Sequence, residues 1–350
     1  MDIKELFKFA AEKGASDLHL VVGLPPLLRI DGDLSYIEGE KVVEEKDMEK
    51  IVDTLASEDE KKRFFTSREL DIGYAIESFR YRINLHFEKN NIGLVARVIN
   101  DKMPSLEEIG IPKIIYNLLD LKQGLILVTG PTGCGKSTAL EAMIDYINNN
   151  RFCNIITFED PIEYLFKPKK GVIVQRQLGT DMLSFASGLK HAMRQDPNVI
   201  MVGEMRDLDT IAATITLAET GHLVLATLHT YSAAQTIDRI IDIFPPHQQT
   251  QVRMQLSMTL ASVISQRLVN KKDGGRTAAR EILLNTPAVA NMIRENKIAQ
   301  IKTVLQTNMK EGMMSLDQDL IRLFKEKVID KETALVYMEN PEMLEKFKLI

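Results

Sequence analysis

The stretch GPTGCGKST at 130–138 carries the strongest chemical signal in this chain. It follows an apolar run, LILVTG (125–130), and leads into residues at helical spacing, the context that G-x-x-x-x-G-K-[ST] requires as a phosphate-binding loop. Gly130, Gly133 and Gly135 let the backbone wrap closely enough for its N–H groups to face phosphate oxygens. Pro131, Thr132, Cys134 and Thr138 complete the loop, and a helix opening at Lys136 adds favourable partial charge. Lys136 is spaced to reach the β- and γ-phosphates of a nucleoside triphosphate, and Ser137 to hold Mg²⁺ through its hydroxyl. Cys134 fills a variable motif position and reads as structural.

Such chemistry also needs carboxylates at the ends of neighbouring strands. NIITFEDPIEY (154–164) ends in Glu159, Asp160 and Glu163, and NVIMVGEMRD (198–207) delivers Glu204, with Gly203 where many P-loop enzymes carry the magnesium aspartate. A carboxylate at Glu204 either takes the proton of an attacking water or helps order the metal. Two histidines bracket the run in TGHLVLATLHT (220–230). At about 3.3 Å per residue, His222 and His229 stand roughly 23 Å apart, and their odd spacing turns them to opposite faces of a regular strand. Only His229, at the carboxyl end, is expected to sense the terminal phosphate.

These residues need a frame. LILVTG, NIITFED, NVIMVGE (198–204) and HLVLATLH (222–229) are short apolar runs. Segments of helical pattern separate the first from the second and the third from the fourth. After Lys136, for example, Leu140, Met143, Ile144 and Ile147 share one face. Strands buried on both sides with helical crossovers imply a parallel, wound sheet whose ligands sit at the carboxyl ends. From about residue 250 the pattern reads as largely helical, with a polar KKDGGRT turn (271–277).

The first third differs. A helix is expected over 2–13, a strand at 17–23, an Asp-Gly hairpin within 26–37, and one helix over 47–64. FRYRINLHF (79–87) alternates, with Phe79, Tyr81, Ile83, Leu85 and Phe87 on one side and Arg80, Arg82, Asn84 and His86 on the other. KNNIG (89–93) then turns the chain into LVARVI (94–99). This is a small α+β domain with one wet sheet face, followed by a linker carrying Pro104 and Pro112.

At 45% apolar and 27% charged residues, the 350-residue chain has the material for two packed domains. No run approaches a membrane span, and the charged N-terminus is unlike a signal peptide. Two cysteines make neither a metal cluster nor a disulfide framework, so a reducing cytosol is the simplest compartment. The net charge of −5 and the lack of an aromatic and basic stripe speak against a nucleic-acid motor. Glu204 and His229 speak against a module that only binds nucleotide.

With these residues in view, the chain resembles the type IV pilus retraction ATPases (PilT-type) of the secretion-ATPase superfamily. The resemblance rests on ASDLHL (15–20), the phosphate loop, EDPIEY (159–164), RQDPNVIMVGEMRD (194–207), TGHLVLATLHT and VISQRL (263–268), in order and at family spacing. It implies a PAS-like N-terminal domain (1–100), a linker (101–112), and a RecA-like ATPase domain with C-terminal helices (113–350). It further implies ATP and Mg²⁺ as ligands and a homohexamer in the cytoplasm, peripheral to the inner membrane. There it would work with the pilus machine's inner-membrane platform protein and drive pilin subunits back into the membrane. Carried over by position, the family's catalytic glutamate falls on Glu204, its acidic box on Glu159, Asp160 and Glu163, and its histidine box on His222 and His229. Its nucleotide-reaching arginines fall on Arg80, Arg82 and Arg97. Two positions depart from the family: Ala290 stands for the arginine of the AIRN motif, and Asn91 where many relatives have arginine. The extension ATPases carry a tetracysteine zinc module that two cysteines cannot build, which favours retraction.

Overall fold

The computed structural model describes residues 2–30, 32–76, 79–99 and 103–346. They sort into two units: the chain up to Met103 together with Pro161–Leu165, and Pro104–Asp160 together with the chain from Phe166 onward.

In the first unit, α1 (Ile3–Glu12) is capped by the Asp2 side chain and buries Leu6, Phe7 and Ala10. Strands β1 (Asp17–Leu20), β2 (Leu27–Ile30) and β3 (Asp33–Tyr36) follow, then helices α2 (Glu45–Leu55) and α3 (Glu58–Ser67). Strands β4 (Glu69–Ile76), β5 (Phe79–Glu88) and β6 (Asn91–Ile99) complete an antiparallel sheet of order β3-β2-β1-β6-β5-β4. The single helix expected over 47–64 is two helices. Ala56 is extended, and Ser57 and Glu60 form a reciprocal capping box that starts a new helix. The expected strand at 17–23 ends at Leu20, and the turn expected over 89–93 shrinks to Lys89 and Asn90, both at positive φ, because Glu88 already pairs with Asn91. Ile30 pairs with Asp33 around the Asp-Gly signature, of which Asp31 lies outside the described residues. Tyr81, Ile83 and Leu85 are fully buried, and Tyr81 stacks on Phe7 at 4.4 Å while donating to its carbonyl. Burial pushes that phenol up to about 12.

The second unit opens with α4 (Lys113–Leu119), β7 (Gly124–Thr129), α5 (Lys136–Asn150), β8 (Asn154–Glu159), β9 (Val172–Gln177) and α6 (Phe185–Ala192). It continues through β10 (Val199–Val202), α7 (Leu208–Glu219), β11 (Leu223–Leu228), α8 (Ala233–Asp242) and α9 (Pro246–Thr259). Strands β12 (Leu260–Asn270) and β13 (Arg276–Leu284) then lead to α10 (Pro287–Arg294), α11 (Ile301–Thr307), α12 (Leu316–Lys325), α13 (Lys331–Tyr337) and α14 (Glu342–Lys346). The sheet order is β13-β12-β7-β11-β10-β8-β9, and the four apolar runs read from the sequence are its parallel centre. Every residue of β7, β10 and β11 is buried, which is why they read as unbroken apolar runs.

The helical reading from residue 250 needs correction. Residues 260–284 form two long antiparallel strands, with β12 lying parallel to β7. KKDGGRT is their hairpin turn, with Gly274 and Gly275 both at positive φ. Helices resume only at Pro287. Of the linker expected at 101–112, Asp101 and Lys102 lie outside the described residues. Ser105 and Glu108 cap one another, and the buried Arg280 of β13 donates to the carbonyls of Ile109 (2.7 Å) and Gly110 (2.8 Å). Burial brings the Arg280 guanidinium down to about 10, against the pull of Asp319.

Candidate nucleotide site

The phosphate loop leaves the carboxyl end of β7 and enters α5 at Lys136. Gly130 has φ +143, and a Cβ there would stand 2.3 Å from the Gln266 carbonyl oxygen and 2.6 Å from Cys134 Sγ, so no side chain fits. Gly135 is left-handed at φ +85. Thr132, Gly133 and Ser137 are exposed, leaving the inner face of the loop open to a phosphate chain. The Cys134 thiol is buried, and burial raises its pKa.

Lys136 is 9% exposed, and its Nζ donates to the carbonyls of Gly130 (2.8 Å) and Pro131 (3.0 Å) and reaches His229 Nδ1 at 3.4 Å. Burial holds its pKa below the usual lysine range, against Cys134 and Glu204. An ammonium only donates, so Nδ1 of His229 accepts and the ring proton sits on Nε2. That nitrogen lies 2.9 Å from Glu204 Oε1. The imidazole therefore bridges lysine and carboxylate. Glu204 Oε2 takes a second partner, Arg206 Nη2, at 2.8 Å. Burial alone would raise the Glu204 pKa, but Arg206, His229 and Lys136 together reverse this and hold it below the ordinary carboxylate range. Thr227 of β11 donates to the Gly203 carbonyl and ties the two strand ends together.

Lys136, His229 and Glu204 thus follow three adjacent strands, β7, β11 and β10, at their carboxyl ends. His222 sits at the other end of β11, where Nδ1 lies 2.9 Å from the Leu217 carbonyl. A carbonyl only accepts, so that nitrogen carries the proton. The two histidines share no partner.

The remaining residues read from the sequence divide. Glu159 is 3% exposed and its Oε1 accepts from Thr157 and from Gln175 (3.0 Å), so its carboxylate is turned into the protein beside β9. Asp160 is exposed and acts electrostatically on Arg206. Glu163 belongs to the first unit, where Arg82 Nη1 lies 3.9 Å from it and Arg80 donates to the Ile162 carbonyl at 3.1 Å. Burial raises the Glu163 pKa against Arg82 and Arg97. Arg97 stands directly opposite Arg82 in the sheet and pairs with the buried Asp17 at 2.9 Å. Two arginines facing across a strand pair repel one another, and the carboxylates on either side offset this.

Arg206 and Gln266 escaped the sequence reading. Arg206 was visible two residues beyond Glu204, but only the bend after β10 turns it back onto that carboxylate. Gln266 fell in a stretch read as helical. It lies beneath the loop on β12, with Nε2 donating to the Cys134 carbonyl at 2.8 Å.

The donor set fits a triphosphate: a glycine-lined cradle at a helix start with a lysine beside it. Among the described residues no three His, Cys, Asp or Glu side chains gather as a metal cluster, and Mg²⁺ needs none. It commonly takes one or two protein oxygens plus phosphates and water, and Ser137 offers such an oxygen.

Comparison with known proteins follows the same line. The family model for the type II/IV secretion system protein matches residues 94–335. The type IV pilus retraction ATPase PilT of Pseudomonas aeruginosa is 45% identical over 343 residues, covering 98% of this chain and 99% of that one. A twitching motility protein of Neisseria gonorrhoeae is 43% identical over 321 residues, covering 91% of this chain and 86% of its own. A crystal structure of the pilus retraction motor PilT with bound ADP superposes with a TM-score of 0.91 at 42% identity, covering 99% of both chains. No helix among the described residues is long and apolar enough to cross a membrane.

Proposed function

Because the chain belongs to the type II/IV secretion system protein family, we propose that it is a P-loop ATPase, working as a ring of six copies, that powers type IV pilus retraction. The observation that carries this reading is the meeting of Lys136, His229 and Glu204 at one edge of a parallel sheet. Full-length similarity to a retraction ATPase supports the choice of pilus and of direction.

Phosphate oxygens are stronger acceptors than carbonyls, so Lys136 exchanges Gly130 and Pro131 for the β- and γ-phosphates of ATP. The loop amides from Gly133 to Thr138 line the phosphate chain. Magnesium, held through the Ser137 hydroxyl, would supply charge neutralisation at the phosphate oxygens. Glu204 accepts the proton of the attacking water, while His229 Nε2–H and Arg206 hold its two oxygens in place. As Lys136 turns to the phosphates, one of the three groups that depress the Glu204 pKa withdraws, and the carboxylate becomes a better base. Asp160 offers Arg206 an alternative partner, whereas Glu159 serves chiefly to order the end of β8.

Residues 1–100 are read as a PAS-like domain, 101–112 as the linker, and 113–350 as a RecA-like motor domain. Arg80, Arg82 and Arg97, with Glu163, are proposed to complete the nucleotide site of a neighbouring copy. The ring is expected in the cytoplasm, at the inner membrane, against the platform protein of the pilus machine. A shared site makes hydrolysis depend on assembly. Specific ATPase activity should therefore fall as the protein is diluted to monomer, and constant activity down to a demonstrated monomer rejects the shared site. Deleting the gene should leave more surface pili that fail to retract; loss of pili would point to extension.

A further inference from the structure

The loop does not shape itself. Strand β12 runs parallel beside β7, and its side chains reach the loop at successive points. Ser265 and Thr129, paired in the ladder, share a buried hydroxyl contact of 2.8 Å at the last residue before Gly130. One step on, Gln266 is 2% exposed, its own carbonyl sits where a Cβ of Gly130 would fall, and its Nε2 donates to the Cys134 carbonyl at 2.8 Å. Gln266 Oε1 is buried with no hydrogen-bond partner among the described residues, so the side-chain amide is oriented through its nitrogen. Turning it over would set Oε1 against the Cys134 oxygen.

The carbonyl so held belongs to the peptide joining Cys134 to Gly135. In a planar trans peptide the C=O and the next N–H point in opposite directions. A Cys134 carbonyl fixed toward β12 therefore aims the Gly135 N–H away from β12. Gly135 is left-handed at φ +85, a conformation open to rotation of the flanking peptide planes, so a tether matters at this point.

We propose that Gln266 is a positioning residue for phosphate binding, which holds the Cys134–Gly135 peptide so that a loop amide faces the nucleotide. The inference rests on the nucleotide-binding reading of the loop. Gln266 touches no phosphate; it acts through the backbone. The test uses the full chain with a fluorescent ADP analogue and steady-state ATP hydrolysis, comparing the unaltered protein with Gln266→Met and Gln266→Glu. Methionine keeps the volume and loses the donor, so affinity should weaken about threefold to tenfold, with the loss falling mainly in KM. Glutamate sets a charge against the Cys134 oxygen and should weaken binding further, on the order of a hundredfold. A role confined to stability would lower the unfolding temperature but leave the affinity of the folded protein, read by calorimetry, unchanged. That result overturns the proposal, as does a loss in kcat alone. If the unaltered protein fails to bind the analogue, the reading of the loop falls and takes this inference with it.

Discussion

Replacing Glu204 by glutamine removes a negative charge while keeping the shape of the side chain. The amide retains an acceptor for Arg206 but presents N–H groups toward His229 Nε2, so the imidazole must move its proton to Nδ1 and lose its contact with Lys136. The stability cost is small, because the side chains of Arg206 and His229 are 68% and 43% exposed and water screens both contacts. Under about 1 kcal/mol is expected, a shift of a few degrees at most. Proton transfer to a positioned base contributes about 10²–10⁴-fold, equivalent to about 2.7–5.5 kcal/mol of barrier, so the catalytic effect stands well clear of the structural one. Phosphate-release kinetics should show kcat down by about that factor, with the affinity for a non-hydrolysable ATP analogue within about threefold of the unaltered protein. Turnover that survives the substitution removes Glu204 from the chemistry. An equal loss of affinity makes it a binding group instead of a base.

Two further outcomes follow from the same geometry. His229→Ala should impair hydrolysis in the assembled protein far more than His222→Ala, since only His229 touches Lys136 and Glu204; equal losses with the ring intact would contradict the separation of the two ends of β11. Arg206→Ala should move the acid limb of the kcat/KM profile to higher pH, because burial, which raises the Glu204 pKa, is then opposed by fewer cations. The sign is set by the depressed value: the ionised carboxylate's contribution holds above the ordinary glutamate pKa and is lost as pH falls through the lower folded one. An unmoved limb refutes that account.

The parallel centre of the sheet was legible because β7, β10 and β11 are buried along their whole length and so read as apolar runs. Strand β12 is nearly as buried but carries Ser262, Ser265 and Gln266 inside, each hydrogen-bonded to a partner distant in sequence: Leu283, Thr129 and Cys134. Only the folded sheet supplies those partners, so hydrophobic periodicity missed the strand and, with it, the brace under the loop. Lys136 and Glu204 were readable from motif and spacing. The orientation of Glu159 was not, since Thr157 and Gln175 turn its carboxylate inward from positions that no local pattern singles out. The split at Ala56 was written in Ser57 and Glu60 and outweighed by the apolar spacing on either side.

Arg280 grips the chain at Ile109 and Gly110, just past the point where it joins the larger unit. Its backbone N–H is bonded in turn to Asp319 on α12. A pull applied upstream of Pro104 therefore meets a fixed anchorage and loads strand β13 directly, where a slack tether would simply have straightened.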